Sequence, residues 1–159
     1  MLRQNENGFT LIELVMVIIL SGIMVAVSMR MLAVGFSAYL KGSNAVSAEQ
    51  QAHLALERMA RDIRAVRSPA DISTATASQL TFTDFTGNSI AYSLSSTNLT
   101  RGSQILAGGI SSLTFSYYDL NGNTTATLTA IRYIGISLNV TQGGSNFTIS
   151  TAVYPENLP

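Results

Sequence analysis

The chain has 159 residues, with 9 Lys and Arg, 9 Asp and Glu, one His and no Cys. An apolar share of 47% argues against disorder, and zero net charge argues against an electrostatic nucleic-acid binder. The lack of Cys removes disulfides, thiolate metal sites and thiol nucleophiles together.

The charges are unevenly placed. Twelve of the eighteen precede Ser68, seven of them between Glu49 and Arg67; the remaining 92 residues hold six charges and 29 Ser and Thr. The pattern therefore predicts two unlike halves.

The first strong signal is Phe9 to Met29, FTLIELVMVIILSGIMVAVSM, in which Glu13 is the only charge. As a helix it is about 31 Å long, close to a bilayer core of roughly 30 Å. It shows no polar stripe of the kind a soluble core helix carries. Three readings follow: a secretory signal cut near Ala26-Val27-Ser28, a plain single-pass anchor, or a segment in which Glu13 has a job. The first is weakened by the length of the run and by its carboxylate. An acid at the bilayer centre costs on the order of 2.5–3.5 kcal/mol, less near the interface, so Glu13 either reaches the headgroups or meets a partner. The flanking positive groups, Arg3 before the run and Arg30 and Lys41 after it, do not fix an orientation.

The helical signal continues to Arg67, with no Pro before Pro69. Leu56, Met59, Ile63 and Val66 share one face, while Glu57, Arg58, Arg61, Asp62 and Arg64 form an expected solvated face. Glu57 to Arg61 and Arg58 to Asp62 are i,i+4 pairs in the favourable direction. Ser68-Pro69 ends the helix, and Gly22, Gly35 and Gly42 are its weak points. The lone His53 has no ligand set around it and reads as a surface or packing residue.

From Ile72 the apolar period becomes two. Leu80-Thr81-Phe82, Ile90 to Leu94, Leu113/Phe115/Tyr117, Ile134/Ile136/Leu138/Val140 and Phe147/Ile149/Val153 predict strands. Turn signals stand at Thr86-Gly87-Asn88, Gly108-Gly109, Asn121-Gly122 and Gly143-Gly144, with Asn121-Gly122 predicted as a type I′ hairpin turn. One antiparallel sheet with a single buried face is expected, covered by Leu56 to Val66. Asp119-Leu120-Asn121-Gly122-Asn123 is loosely like a calcium loop. It has Thr124 where that loop needs Gly and Ala130 where it needs Glu, so it reads as a turn. No catalytic set, metal site or cofactor motif is found, and the strand-rich half has no His to activate a Ser.

Gly8-Phe9-Thr10-Leu11-Ile12-Glu13-Leu14, after the polar leader MLRQNEN, resembles the class III signal of type IV prepilins and type II secretion pseudopilins. The resemblance implies an α+β, pilin-like fold: a long N-terminal helix whose second half packs on an antiparallel β-sheet head. It implies cleavage between Gly8 and Phe9 by prepilin peptidase, N-methylation of Phe9, and pairing of Glu13 with the N-terminal amine of a neighbouring subunit. It further implies an N-in, C-out orientation in the bacterial inner membrane and assembly into a pilus or pseudopilus rather than a closed oligomer. The expected parts are a leader at 1–8, a membrane and filament-core helix at 9–29, an amphipathic stem at 30–67 and a β-rich head at 68–159. Leu106 to Asp119 and Glu57 to Arg64 resemble the larger minor pilins and J-type pseudopilins, and Val153 to Pro159 is similar to minor pilins of haemagglutinin-type pili. Many major pilins carry a Pro near the end of the apolar run, where Arg30 stands here. A structural minor subunit is the first expectation; a secretion pseudopilin and a membrane-tethered binding module are the alternatives, and an enzyme is not expected.

Overall fold

A computed structural model describes residues 8–155. The leader up to Asn7 and the stretch from Glu156 lie outside the described residues, so the readings placed there are not addressed. The chain forms two units, Met1–Leu40 and Lys41–Pro159.

The first unit is the start of helix α1, Leu11–Arg64. No residue from Gly8 to Leu40 is buried. The helix passes through Gly22, Gly35 and Gly42 without a break.

In the second unit, α1 continues from Lys41 to Arg64. Ala48, Ala52, Ala55, Leu56, Met59, Ala60 and Ile63 are its buried residues. The Leu56/Met59/Ile63/Val66 face is buried as its spacing predicts, and an alanine stripe extends it by two turns. Alanines bring the helix backbone close to the sheets, while Met59 and Ile63, fully buried, each contribute roughly 1.5–3 kcal/mol. The helix ends at Arg64, three residues before the expected Arg67. Ala65 and Val66 N–H groups donate to Asp62 and Ile63 carbonyls, an i to i−3 pattern that tightens the last turn. Ser68 then takes an extended conformation and caps a short 3-10 helix, Pro69–Asp71.

Eight strands follow among the described residues, and they form two sheets rather than the expected one. Strands β1 (Ile72–Ala75), β2 (Gln79–Thr83), β3 (Ser89–Ser95), β4 (Asn98–Arg101) and β5 (Gln104–Ala107) form an antiparallel meander in chain order. Strands β6 (Ile110–Tyr118), β7 (Tyr133–Gln142) and β8 (Ser145–Val153) form a second, in order β6-β7-β8. The break falls at Gly108-Gly109. Gly109 has φ +73°, and a Cβ there would sit 3.1 Å from the Gln142 side chain. The chain turns at this pair and leaves the first sheet. Leu80, Phe82, Ile90, Tyr92 and Leu99 of the first sheet and Ile134, Ile136, Leu138 and Val140 of the second share one core with the helix. The Tyr117 hydroxyl donates to the Thr76 carbonyl at 2.8 Å and fastens the β1–β2 turn to β6.

The predicted hairpin turns divide. Gly143 (φ +63°) and Gly144 (φ +86°) join β7 to β8 as a two-residue type I′ turn. A Cβ on Gly143 would lie 2.6 Å from the Lys41 carbonyl oxygen, so the turn abuts the helix and only glycine fits. Asn121-Gly122 is not a type I′ turn, because Asn121 does not have positive φ. Instead Gly122 N–H donates to Asp119 O, and the Asp119 carboxylate accepts the Asn121 and Asn123 N–H groups. Asp84-Phe85-Thr86-Gly87-Asn88 is built the same way, with Asp84 Oδ1 accepting from Thr86 and Asn88. Its bond from the Thr86 side chain is the largest cause holding the Asp84 carboxyl below the usual range.

Asp62 departs from the expected solvated face. Its Oδ2 accepts from Arg101 Nε and from the Tyr92 hydroxyl, each at 2.7 Å, which ties the helix to β3 and β4. Arg58 lies 3.3 Å away on the solvent side. The expected Glu57–Arg61 pair is not among the ion pairs of the described residues. The Arg101 guanidinium is pushed up by its bond to Asp62.

On the outer face, hydroxyls and amides bond to one another across strands. Asn139 Nδ2 donates to Ser112 Oγ at 2.7 Å, Thr148 Oγ1 donates to Asn139 Oδ1, and Ser93 and Thr100 hydroxyls meet at 3.1 Å.

Tyr92 and Tyr117 are core residues. Burial raises both phenols well above their ordinary value of 10.0. For such a group the folded state holds its proton longer, so the stability it contributes is complete below pH 10 and falls as pH rises beyond it. Alkaline unfolding, with cooperative loss of the β signal above about pH 10, is the expected result by circular dichroism. In Tyr117→Phe the slope of stability against pH in that range should be visibly shallower; an unchanged slope would count against this origin.

Candidate functional site

The N-terminal site is built by the start of α1. Glu13 N–H donates to Thr10 Oγ1 at 3.4 Å and to Thr10 O at 3.1 Å, and Leu14 N–H donates to Thr10 O at 3.2 Å. Thr10 is therefore the residue that caps the helix, and it fixes where the helix begins relative to Gly8 and Phe9. Thr10-x-x-Glu13 ahead of an apolar run has capping-box spacing, a signal present in the sequence whose structural role the motif reading passed over.

That cap puts Glu13 in the first turn, where the positive end of the helix dipole favours a carboxylate. No hydrogen bond or ion pair engages that carboxylate among the described residues. Glu13 stands on a shallow, nearly unbroken apolar stripe with Met16, Val17, Leu20 and Ile23. Gly8 and Phe9 precede the helix outside regular secondary structure, and Phe9 is 80% exposed. The structure thus brings Gly8, Phe9 and Glu13 onto one short segment. Three features meet there: an accessible peptide bond, an aromatic residue after it, and an unpaired carboxylate less than one helical turn into α1.

Behind this segment the helix is apolar all round. It is long and apolar enough to cross a membrane, and none of that surface is buried within the chain. Folded monomers rarely expose apolar patches beyond a few hundred Å². Lipid or other protein must cover this one.

Elsewhere the described residues hold no group of three or more His, Cys, Asp or Glu placed to bind a metal. His53 is exposed on the helix, and the Asp119 carboxylate is engaged by its own turn.

Comparison with known proteins agrees with the geometry. A family model described as the prokaryotic N-terminal methylation motif matches residues 3–29, which contain the cap, Glu13 and the apolar run. No curated protein matches the chain. The motif, with an unburied apolar helix behind it and an antiparallel β head, points to a membrane-anchored structural subunit. Residues 3–29 thus carry the signature of type IV prepilins and pseudopilins.

Proposed function

We infer that the chain is a minor subunit of a type IV pilus-like filament. It is inserted in the bacterial inner membrane with its N-terminus cytoplasmic and its head periplasmic. Prepilin peptidase cuts after Gly8, and the new Phe9 amine is methylated. The stretch 9–29 spans the bilayer and then enters the filament, 30–67 is the stem, and 68–159 is the head. Glu13 pairs with the Phe9 amine of a neighbouring subunit, so each step of assembly joins two groups that lipid solvates poorly.

One observation carries this reading: Gly8, Phe9 and Glu13, whose carboxylate has no partner among the described residues, lie together at the head of an unburied apolar helix. The same motif serves pilins and the pseudopilins of type II secretion. The filament that retains the chain on purification separates those two roles.

The first test is the intact mass of the chain isolated from cells that contain prepilin peptidase. The expected mass is that of a chain starting at Phe9 and carrying one methyl group. A start at Met1 would leave a tethered module, and a start at Met29 would establish an ordinary secretory signal.

A further inference from the structure

The four sheet edges are not alike. Strands β1 and β5 are short, with four residues each, and each meets its neighbour through a bulge. The edge of β6 is bulged and occupied: Phe115 N–H donates to Ala77 O, and Thr125 N–H donates to Tyr117 O. Strand β8 has nine residues, Ser145 to Val153, with no charge, no Pro and no bulge across nine consecutive pairs with β7. Natural edges are blunted by those very devices. Among the described residues, no backbone hydrogen bond reaches the outer side of β8.

Register identifies the free groups. The type I′ turn makes Gln142 and Ser145 a hydrogen-bonded pair, so alternate residues from Ser145 bond to β7. Asn146, Thr148, Ser150 and Ala152 therefore direct their N–H and C=O groups to the open edge.

A groove lies beside this edge. The turn at Gly143 touches Lys41, and farther on Thr151 lies by the helix at His53 to Arg64. The helix from Lys41 to Ala60 is about 28 Å long and the strand path from Gly143 to Thr151 about 27 Å, so helix and strand run side by side. The groove is lined by His53, Leu56, Glu57, Ala60, Arg61 and Arg64 of the helix and by Thr151. Arg61 and Arg64 have no ion pair among the described residues. On the inward face of β8, Phe147 and Ile149 are only partly buried, whereas their β7 neighbours Val140 and Leu138 are fully buried. An added strand would complete their cover.

We propose that β8 and this groove accept an extended, acidic β-strand segment of a different protein, which adds a fourth strand to the β6-β7-β8 sheet. Main-chain bonds to Asn146, Thr148, Ser150 and Ala152 supply affinity, and carboxylates facing Arg61 and Arg64 supply specificity. A second copy is the wrong occupant. Antiparallel pairing of two β8 strands places a two-fold axis across the sheet and points the Lys41 ends of the two helices in opposite directions. That exclusion rests on the membrane-anchored reading above; the acidic-strand site does not.

The test uses the full chain in detergent and a nonapeptide of alternating threonine and valine carrying two glutamates, compared with the same peptide carrying lysines. The glutamate peptide is expected to bind, and to slow amide exchange at Asn146, Thr148, Ser150 and Ala152 by at least about tenfold. The lysine peptide should bind at least about tenfold more weakly, and the double variant Arg61→Glu with Arg64→Glu should reverse that preference. Ser150→Pro, which removes a free N–H, should weaken binding while the sheet signal persists. If that variant does not fold, the charge-reversed pair decides alone. Failure of the glutamate peptide to bind at up to about 1 mM, or unchanged exchange at those four amides, overturns the proposal. Protection that instead rises with the concentration of the chain itself gives the edge to a second copy, and overturns it equally.

Discussion

Glu13→Ala is expected to leave the chain in the membrane and to remove it from filaments. The carboxylate has no hydrogen bond or ion pair among the described residues, so the substitution takes away no bond seen there to hold the fold together. Insertion should be unharmed, because an acid in lipid is a cost that the variant escapes. Assembly should suffer, because two unit charges 4 Å apart at an effective dielectric near 20 attract by about 4 kcal/mol, and the neighbour's amine would be left unpaired in an apolar seam. Even about 2.8 kcal/mol net per contact is a hundredfold change in an equilibrium constant. The measurement is the ratio of chain in sheared filaments to chain in membranes. Thr10→Ala is the useful comparison: it should cost about 1 kcal/mol of helix capping without touching the carboxylate. Incorporation of Glu13→Ala at the level of the unmodified chain would end the pairing role.

The second large effect is expected at Asp62. Its side chain is 12% exposed, and it joins Arg101, which is 24% exposed, to the Tyr92 hydroxyl. Asp62→Ala leaves a guanidinium and a buried phenol without their acceptor, and such losses cost on the order of 3 kcal/mol or more. Arg58 approaches the same carboxylate from the surface with its side chain 51% exposed, where an ion pair is worth about 0–1 kcal/mol. Thermal melts should therefore place Asp62→Ala far below the unmodified chain and Arg58→Ala close to it. Equal losses in the two variants would mean that the helix is not fastened to β3 and β4 through this group.

What the sequence revealed follows the range of each interaction. The N-terminal segment was legible because its signal is local: glycine, aromatic, glutamate and apolar run are contiguous. The helix face at Leu56, Met59, Ile63 and Val66 and the strand faces at Leu113 to Tyr117 and Ile134 to Val140 were legible because burial repeats at the period of the element. Asp62 was misread for the opposite reason. Its helix neighbour Arg58 explains it locally, while Arg101 lies on a strand of the first sheet. Ala48, Ala52 and Ala55 were passed over because alanine in a helix reads equally as a good helix former and as a close-packing residue. Strands β4 and β5 are four residues each and lack a clear alternation. The turn between β3 and β4 uses Ser96 at φ +57° where glycine would have announced it. A single sheet was expected because strand signals carry no information on where pairing stops, and the pair Gly108-Gly109 decides that here.

The cross-strand bonding of hydroxyls and amides has a consequence for how the two parts of the chain respond to ions. The sheet face at Ser112, Asn139 and Thr148 satisfies its polarity internally and carries no charge, so mobile ions have nothing there to screen. Among the described residues, most of the charges without an ion pair sit on the helix, Glu13, Arg61 and Arg64 among them. Raising ionic strength from 0.1 M to 1 M shortens the screening length from about 10 Å to about 3 Å. Salt is thus a selective tool for this molecule: it weakens long-range attraction at the exposed charges of the helix and leaves the uncharged face at Ser112, Asn139 and Thr148 indifferent.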